Sequence, residues 1–146
     1  MQQEIPEYQF STYMTPSEYM SFRKAVGWSE FPLEQAEEGL KNSYVCCMRI
    51  EGSPVALGRV LWDHGYVVYI ADVIVLPEYQ GKGYGRIIME KIMELIKSWQ
   101  KPGYKLMVSL CAAKGKEEFY EKFGFLKRPN ETFGCGMCQW LIDNVE

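Results

Sequence analysis

Three glycines at alternate positions, in Gln80-Gly81-Lys82-Gly83-Tyr84-Gly85-Arg86, separate two segments of different period. The preceding run, Tyr66–Leu76, is apolar and strand-like. In the following run, Tyr84–Trp99, Ile88, Ile92, Leu95, Ile96 and Trp99 recur at helical spacing, while Arg86, Glu90, Lys91, Glu94 and Lys97 face away. Glycine lets the backbone come close to a ligand because no Cβ intervenes. A helix that starts in such a loop aims its first free N–H groups and its positive dipole end into it. Strand, glycine loop and helix N-terminus together suit a phosphate or pyrophosphate. The loop is not a Walker A motif, which needs Gly-Lys-Ser/Thr after a fixed spacer. Nor is it a dinucleotide fingerprint, because the spacing is G-x-G-x-G and no complete βαβ unit follows.

The rest of the chain supplies a context. Tyr8–Met14 reads as a strand. Thr15-Pro16-Ser17-Glu18 has capping-box spacing with proline at the first helical position, and Tyr19, Phe22 and Val26 give that helix its buried stripe before Gly27 ends it. A short helix is expected over Pro32–Leu40. Tyr44–Ile50, Val55–Asp63 and Tyr66–Leu76 form an antiparallel meander, turned at Glu51-Gly52-Ser53-Pro54 and His64-Gly65. Pro102-Gly103 ends the long helix, and Lys105–Cys111 should pair parallel to the fourth strand through a right-handed crossover. A short helix, Glu117–Phe123, and two last strands, Phe125–Arg128 and Met137–Ile142, complete the order β-α-α-β-β-β-α-β-α-β-β. This is an α/β chain with a mixed central sheet. Its 146 residues are expected to form one domain, residues 1–146.

Bulk properties exclude several classes. Net charge is −3, which gives no general case for nucleic acid. No apolar stretch is long enough to span a bilayer, and Met1-Gln2-Gln3-Glu4-Ile5-Pro6 lacks the features of a signal peptide, so the expected compartment is the cytoplasm. Of the five cysteines, Cys46, Cys47 and Cys111 fall in apolar strand-like runs. Cys135-Gly136-Met137-Cys138 raises a zinc or redox reading. Zinc would need a second ligand pair, and His64 is the sole histidine; a redox motif should open a helix, and this one leads into Gln139-Trp140-Leu141-Ile142. Free thiols and no metal are expected.

The glycine loop resembles the acetyl-CoA loop of the GCN5-related N-acetyltransferase (GNAT) superfamily, whose pattern Gln/Arg-x-x-Gly-x-Gly/Ala is met by Gln80, Gly83 and Gly85. Val75-Leu76-Pro77-Glu78-Tyr79 is similar to that family's strand exit, and Phe119-Tyr120-Glu121-Lys122-Phe123-Gly124-Phe125 to its Phe-Tyr-x-x-x-Gly-Phe element. The resemblance covers most of residues 44–142; residues 1–43 agree only in layout. It implies the GNAT fold, with the fourth and fifth strands splayed after a bulge. It also implies acetyl-CoA as cosubstrate, held by backbone N–H groups from Gly81 to Arg86, including Tyr84. Lys82 and Arg86 add charge or are plain solvated residues. Backbone groups near Ile74 and Val75 would meet the pantetheine arm and acetyl carbonyl, where a free N–H acts as an oxyanion donor. Tyr120 occupies the general-acid position. Asp72, near the bulge, would relay a proton through water or bind the amine. The family's asparagine after the fifth strand is replaced by Ala112-Ala113.

Family precedent places the acceptor against the first two helices and the last hairpin. Trp28 and Phe31 beside Glu30 and Glu34 would suit a cationic amine through cation–π and ionic contacts. The expected function is acetyl transfer from acetyl-CoA to a primary amine of a small molecule, by direct attack in a ternary complex. The alternatives are a noncatalytic acyl-CoA sensor and acetylation of a protein or peptide amine. No nucleic-acid or membrane partner is expected, and a homodimer is left open.

Overall fold

The first helix begins where Thr15 and Pro16 set it. The Thr15 hydroxyl accepts from the Glu18 N–H at 3.0 Å, and the Glu18 carboxylate accepts from the Thr15 N–H at 3.0 Å. These two bonds satisfy orphan donors reciprocally. The helix, α1, runs over Pro16–Ala25, and Gly27 turns the chain at φ 77°. The computed structural model describes residues 4–143 of the chain.

The remaining elements are β1 (Gln9–Ser11), α2 (Leu33–Lys41), β2 (Tyr44–Ile50), β3 (Ser53–Trp62), β4 (Val67–Val75), α3 (Tyr84–Lys97), β5 (Met107–Leu110) and α4 (Glu117–Glu121). A short 3-10 turn, Pro77–Tyr79, follows β4. The sheet order is β1-β2-β3-β4-β5. β1 to β4 pair antiparallel, and β5 joins β4 in parallel, as the helical crossover requires.

Two compact units divide the chain, one ending at Leu110 and the other beginning at Cys111. In the first, Met14, Tyr19, Phe22, Ala36, Val45, Cys47, Leu57 and Ile74 make one buried cluster. The α3 stripe of Ile88, Met89, Ile92 and Ile96 is also buried. Each such side chain contributes roughly 1.5–3 kcal/mol on leaving water. Gly58 lets α3 approach β3: a Cβ there would stand 2.5 Å from Ile92 Cδ1 and 3.2 Å from Ile88 Cγ2.

Three expectations need correction. Cys111 lies past the end of β5 and is exposed rather than buried in a strand. Phe125–Arg128 and Met137–Ile142 form no strands among the described residues. Their sequences are apolar enough, but a strand exists only as a member of a ladder, and these segments have no ladder partner. Leu126, Met137, Trp140, Leu141 and Ile142 are exposed as a result.

Candidate active site

The site starts from the backbone between β4 and α3. The N–H groups of Gly81, Lys82, Gly83, Tyr84, Gly85 and Arg86 have no acceptor among the described residues, and the first bond of the helix is Ile87 N–H to Gly83 O at 3.3 Å. Gly83 is the N-cap, so it has no side chain to cap the helix, and the first turn contains no acid. Gly81 and Gly83 take φ values of 76° and 94°, in the left-handed region that favours glycine. A Cβ at Gly81 would meet nothing within 4 Å, and at Gly83 only Ile5 Cδ1 at 3.7 Å. The loop is therefore an open row of donors at the positive end of a helix, a geometry for an anion.

The neighbouring side chains take distinct parts. Gln80 Nε2 donates to Val75 O at 2.9 Å, which ties the strand exit to the loop and occupies that carbonyl. The Tyr84 side chain is buried, edge-on to Tyr79. Lys82 is exposed. Arg86 is paired with Glu90 at 2.8 Å on the helix surface, a contact worth about 0.3–0.5 kcal/mol that a ligand can displace.

The fourth strand opens on one side. Its ladder with β5 stops at Ile70↔Leu110, so among the described residues Ala71 to Val75 pair with no strand on that edge. The register with β3 passes from Val60↔Ile70 to Arg59↔Asp72, which makes Ala71 the extra residue of a bulge. The bulge thus falls three residues before Ile74, whose side chain is buried in the core.

Asp72 has a different setting from the one expected. It is 4% exposed, and its carboxylate accepts from Arg59 Nε at 2.6 Å and from the Tyr19 hydroxyl at 2.6 Å, with Arg23 Nη1 at 3.7 Å. The Tyr19 and Arg59 bonds both end on Oδ2, while Oδ1 faces Arg23 across the longer ion-pair distance. Burial, and then the Asp72 charge, push the Tyr19 phenol up, so it remains a donor. Burial lowers the Arg59 guanidinium and the adjacent Asp72 carboxylate raises it; the carboxylate prevails.

Arg23 also changes the reading of the aromatic wall. Its guanidinium carbon lies 5.4 Å from the Trp28 ring centroid and 4.3 Å from that of Phe31. The protein's own cation already faces both rings. Both are half-buried against the core, whereas Glu30 and Glu34 are exposed. Sequence reasoning missed Tyr19, Arg23 and Arg59 as a group. One signal was present: Arg59 and Asp72 are lone charges inside adjacent apolar strands, placed opposite each other by the hairpin register.

In the second unit, Tyr120 is half-buried on α4, with Phe119 at 5.0 Å and Phe125 at 6.4 Å between ring centroids. Burial raises its phenol above the usual value, so it stays protonated near neutrality. Cys135 and Cys138 are exposed free thiols. Cys46 and Cys47 are buried, and burial pushes both thiols up, away from the reactive thiolate. His64 sits in a turn at φ 67°, its ring 4.5 Å from that of Trp62.

Comparison with known proteins gives this geometry a context. The sequence profile of the Acetyltransferase (GNAT) family matches residues 8–125. A crystal structure from meticillin-resistant Staphylococcus aureus, described as a protein of unknown function and probable acetyltransferase, is 32% identical with a TM-score of 0.78, covering 91% of this chain and 98% of that one. Uncharacterized N-acetyltransferase ycf52 of Pyropia yezoensis is 28% identical over 115 residues, 75% of this chain and 64% of the relative. Histone acetyltransferase TAP1 of Glycine max is 30% identical over 121 residues, 75% of this chain and 51% of the relative. The chain therefore spans about half to two-thirds of the length of these curated relatives. With a donor loop, an interrupted β4–β5 ladder and a family match across most of its length, the chain belongs to the acetyltransferase (GNAT) family.

Proposed function

We propose that residues 1–146 act as one acetyltransferase domain that moves an acetyl group from acetyl-CoA to a primary amine of a small molecule, by direct attack in a ternary complex. The observation that carries this reading is the row of N–H groups from Gly81 to Arg86 that have no partner among the described residues. A pyrophosphate fits there, because oriented donors and a helix N-terminus favour negative charge and no Cβ blocks the approach. Acetyl-CoA supplies the activated acyl group. The free edge of β4 from Ala71 onward gives the extended pantetheine arm a backbone to lie against, with Ile74 and Val75 as the stretch to contact it.

The chain must also manage protons. The acceptor ammonium, with a pKa of about 10.4, has to lose one before attack, and the departing thiolate has to gain one. Tyr120 serves as the acid, since its buried phenol is held protonated. Asp72 acts through Tyr19, Arg23 and Arg59, as a positioning residue rather than as the base. Trp28, Phe31 and Glu34 are placed at the acceptor side. We place the protein in the cytoplasm; among the described residues no helix is long and apolar enough to cross a membrane. A protein amine is the second reading, favoured by the similarity to a relative named as a histone acetyltransferase.

Calorimetry with CoA on wild type and Gly83→Val tests the reading. Wild type should bind, and the folded variant should not, because a branched side chain would stand in the donor row. Unchanged affinity in the variant would sink the loop as the CoA site.

A further inference from the structure

The Tyr19–Arg23–Arg59–Asp72 cluster is not electrically balanced. Two guanidiniums share one carboxylate, and the tyrosine is a neutral donor. Among the described residues no second acid is paired with either arginine; Glu34, Glu37 and Glu38 on the neighbouring α2 are exposed. One positive charge is left over in a largely enclosed place.

The surplus can be localised. Arg23 spends Nε on Ser29 O at 2.8 Å and lies over Phe31. The geometry of Arg59 is different. Its Nε is fixed on Asp72, its carbon lies 5.6 Å from the Tyr19 ring centroid, and beyond the Tyr19 hydroxyl, which also supports its charge, its two Nη groups have no acceptor at hydrogen-bond distance among the described residues. No sealed side-chain nitrogen or oxygen among the described residues lacks a partner, and the Arg59 side chain is 16% exposed, so the Nη groups are reached from outside. Nη1 reaches across to α2 at Gly39, where an ideal Cβ would stand at ordinary contact distance, 3.9 Å from it.

We propose that Arg59 is the oxyanion-recognition residue of the acceptor site, and that the acceptor is an amine carrying a carboxylate or a phosphate group. This rests on the acetyltransferase reading above for what the site is used for. A guanidinium held through Nε presents its Nη pair as a fork, the geometry that carboxylate and phosphate oxygens match in a bidentate way. The wall around it already contains a cation over its aromatic rings, so a purely cationic acceptor would meet like charge.

Removing Arg59 would strand Asp72, so the decisive variant fills the site and leaves the arginine in place. Gly39→Asp sets a carboxylate beside Nη1, and Gly39→Ala adds only a methyl group at ordinary contact distance. Ethanolamine, β-alanine and O-phosphoethanolamine share an aminoethyl arm and differ at its end; amino acids and their decarboxylated amines extend the comparison to larger side chains. Binding is measured by calorimetry in the presence of CoA, and turnover by CoA release from acetyl-CoA. The expected result is at least a tenfold preference for the oxyanion-bearing partner within a pair, with the carboxylate and phosphate arms identifying which oxyanion. Gly39→Asp should reduce that preference at least tenfold, and Gly39→Ala should leave it unchanged. A preference for the uncharged or decarboxylated partners, the absence of a preference in every pair, or an unaltered preference in Gly39→Asp would overturn the proposal. Oxyanion binding that obeys these variants without any CoA binding or release would retain Arg59 as the recognition residue and remove the acetyltransferase reading.

Discussion

Replacing Asp72 by Asn takes one negative charge from between two arginines without changing the side chain's size. The carboxylate is 4% exposed and sits 2.6 Å from Arg59 Nε, 2.6 Å from the Tyr19 hydroxyl and 3.7 Å from Arg23 Nη1. The Arg59 and Tyr19 bonds both end on Oδ2, so an amide oxygen in that place can keep both, but neither guanidinium then has an opposite charge. Breaking a buried pair by removing one partner costs about 3–5 kcal/mol. Against a total stability of roughly 5–15 kcal/mol, that is a large share. For a chain of this length each kcal/mol moves the melting temperature by about 2–4 °C, which gives a drop of roughly 6–20 °C. The assay is thermal and urea unfolding of wild type and Asp72→Asn, with CoA release measured well below the variant's melting temperature. Adding Arg59→Met to Asp72→Asn should recover part of the loss, because it removes one of the stranded charges. The reasoning is refuted if Asp72→Asn melts with wild type and still loses turnover by a hundredfold or more. That outcome would mark Asp72 as a titrating base and not as the anchor of this frame.

Two further tests concern single residues. Tyr120→Phe should lower turnover by about 10²–10⁴-fold with a smaller change in the Michaelis constant for acetyl-CoA, as expected on loss of a general acid; an unchanged turnover number would leave Tyr120 as packing beside Phe119 and Phe125. Glu18 is held at a pKa of about 2, first by its hydrogen bond to Arg49, against an ordinary 4.5. Its folded value is depressed, so the contribution is complete above about pH 5 and is lost as pH falls towards 2. Urea midpoints across that range should show wild type and Glu18→Gln converging at the acid end, and a constant gap would remove the ion pair from the account.

What could be read from the sequence was local. Thr15, Pro16 and Glu18 lie within one turn, and their spacing states the helix start that the structure has. The glycine loop and the α3 stripe are likewise set by residues a few positions apart, and their boundaries differ by only a residue or two from those observed. The frame of Tyr19, Arg23, Arg59 and Asp72 was not readable in this way. Tyr19 and Asp72 are 53 residues apart, and nothing in the spacing of either says that they meet. The tie from Gln80 to Val75 was also hidden, because a motif position identifies a residue and not its bond. The segments 125–128 and 137–142 failed for another reason: an apolar run states a preference for being paired, and the sequence contains no statement of where the partner edge is.

The missing side chain at Gly58 has a mechanical consequence. Ile92, the residue it admits, is eight positions along α3 from Tyr84, or about 12 Å at 1.5 Å per residue. The helix rests on β3 at that point like a beam on a bearing, and the donor row is at the beam's near end. Widening the bearing by one methyl group would lift or tilt the beam, and a small rotation there is carried to the tip as a displacement of all the donors together. The alignment of the donor row is thus set partly in the hydrophobic interior, at a residue that has no side chain and lies outside the row.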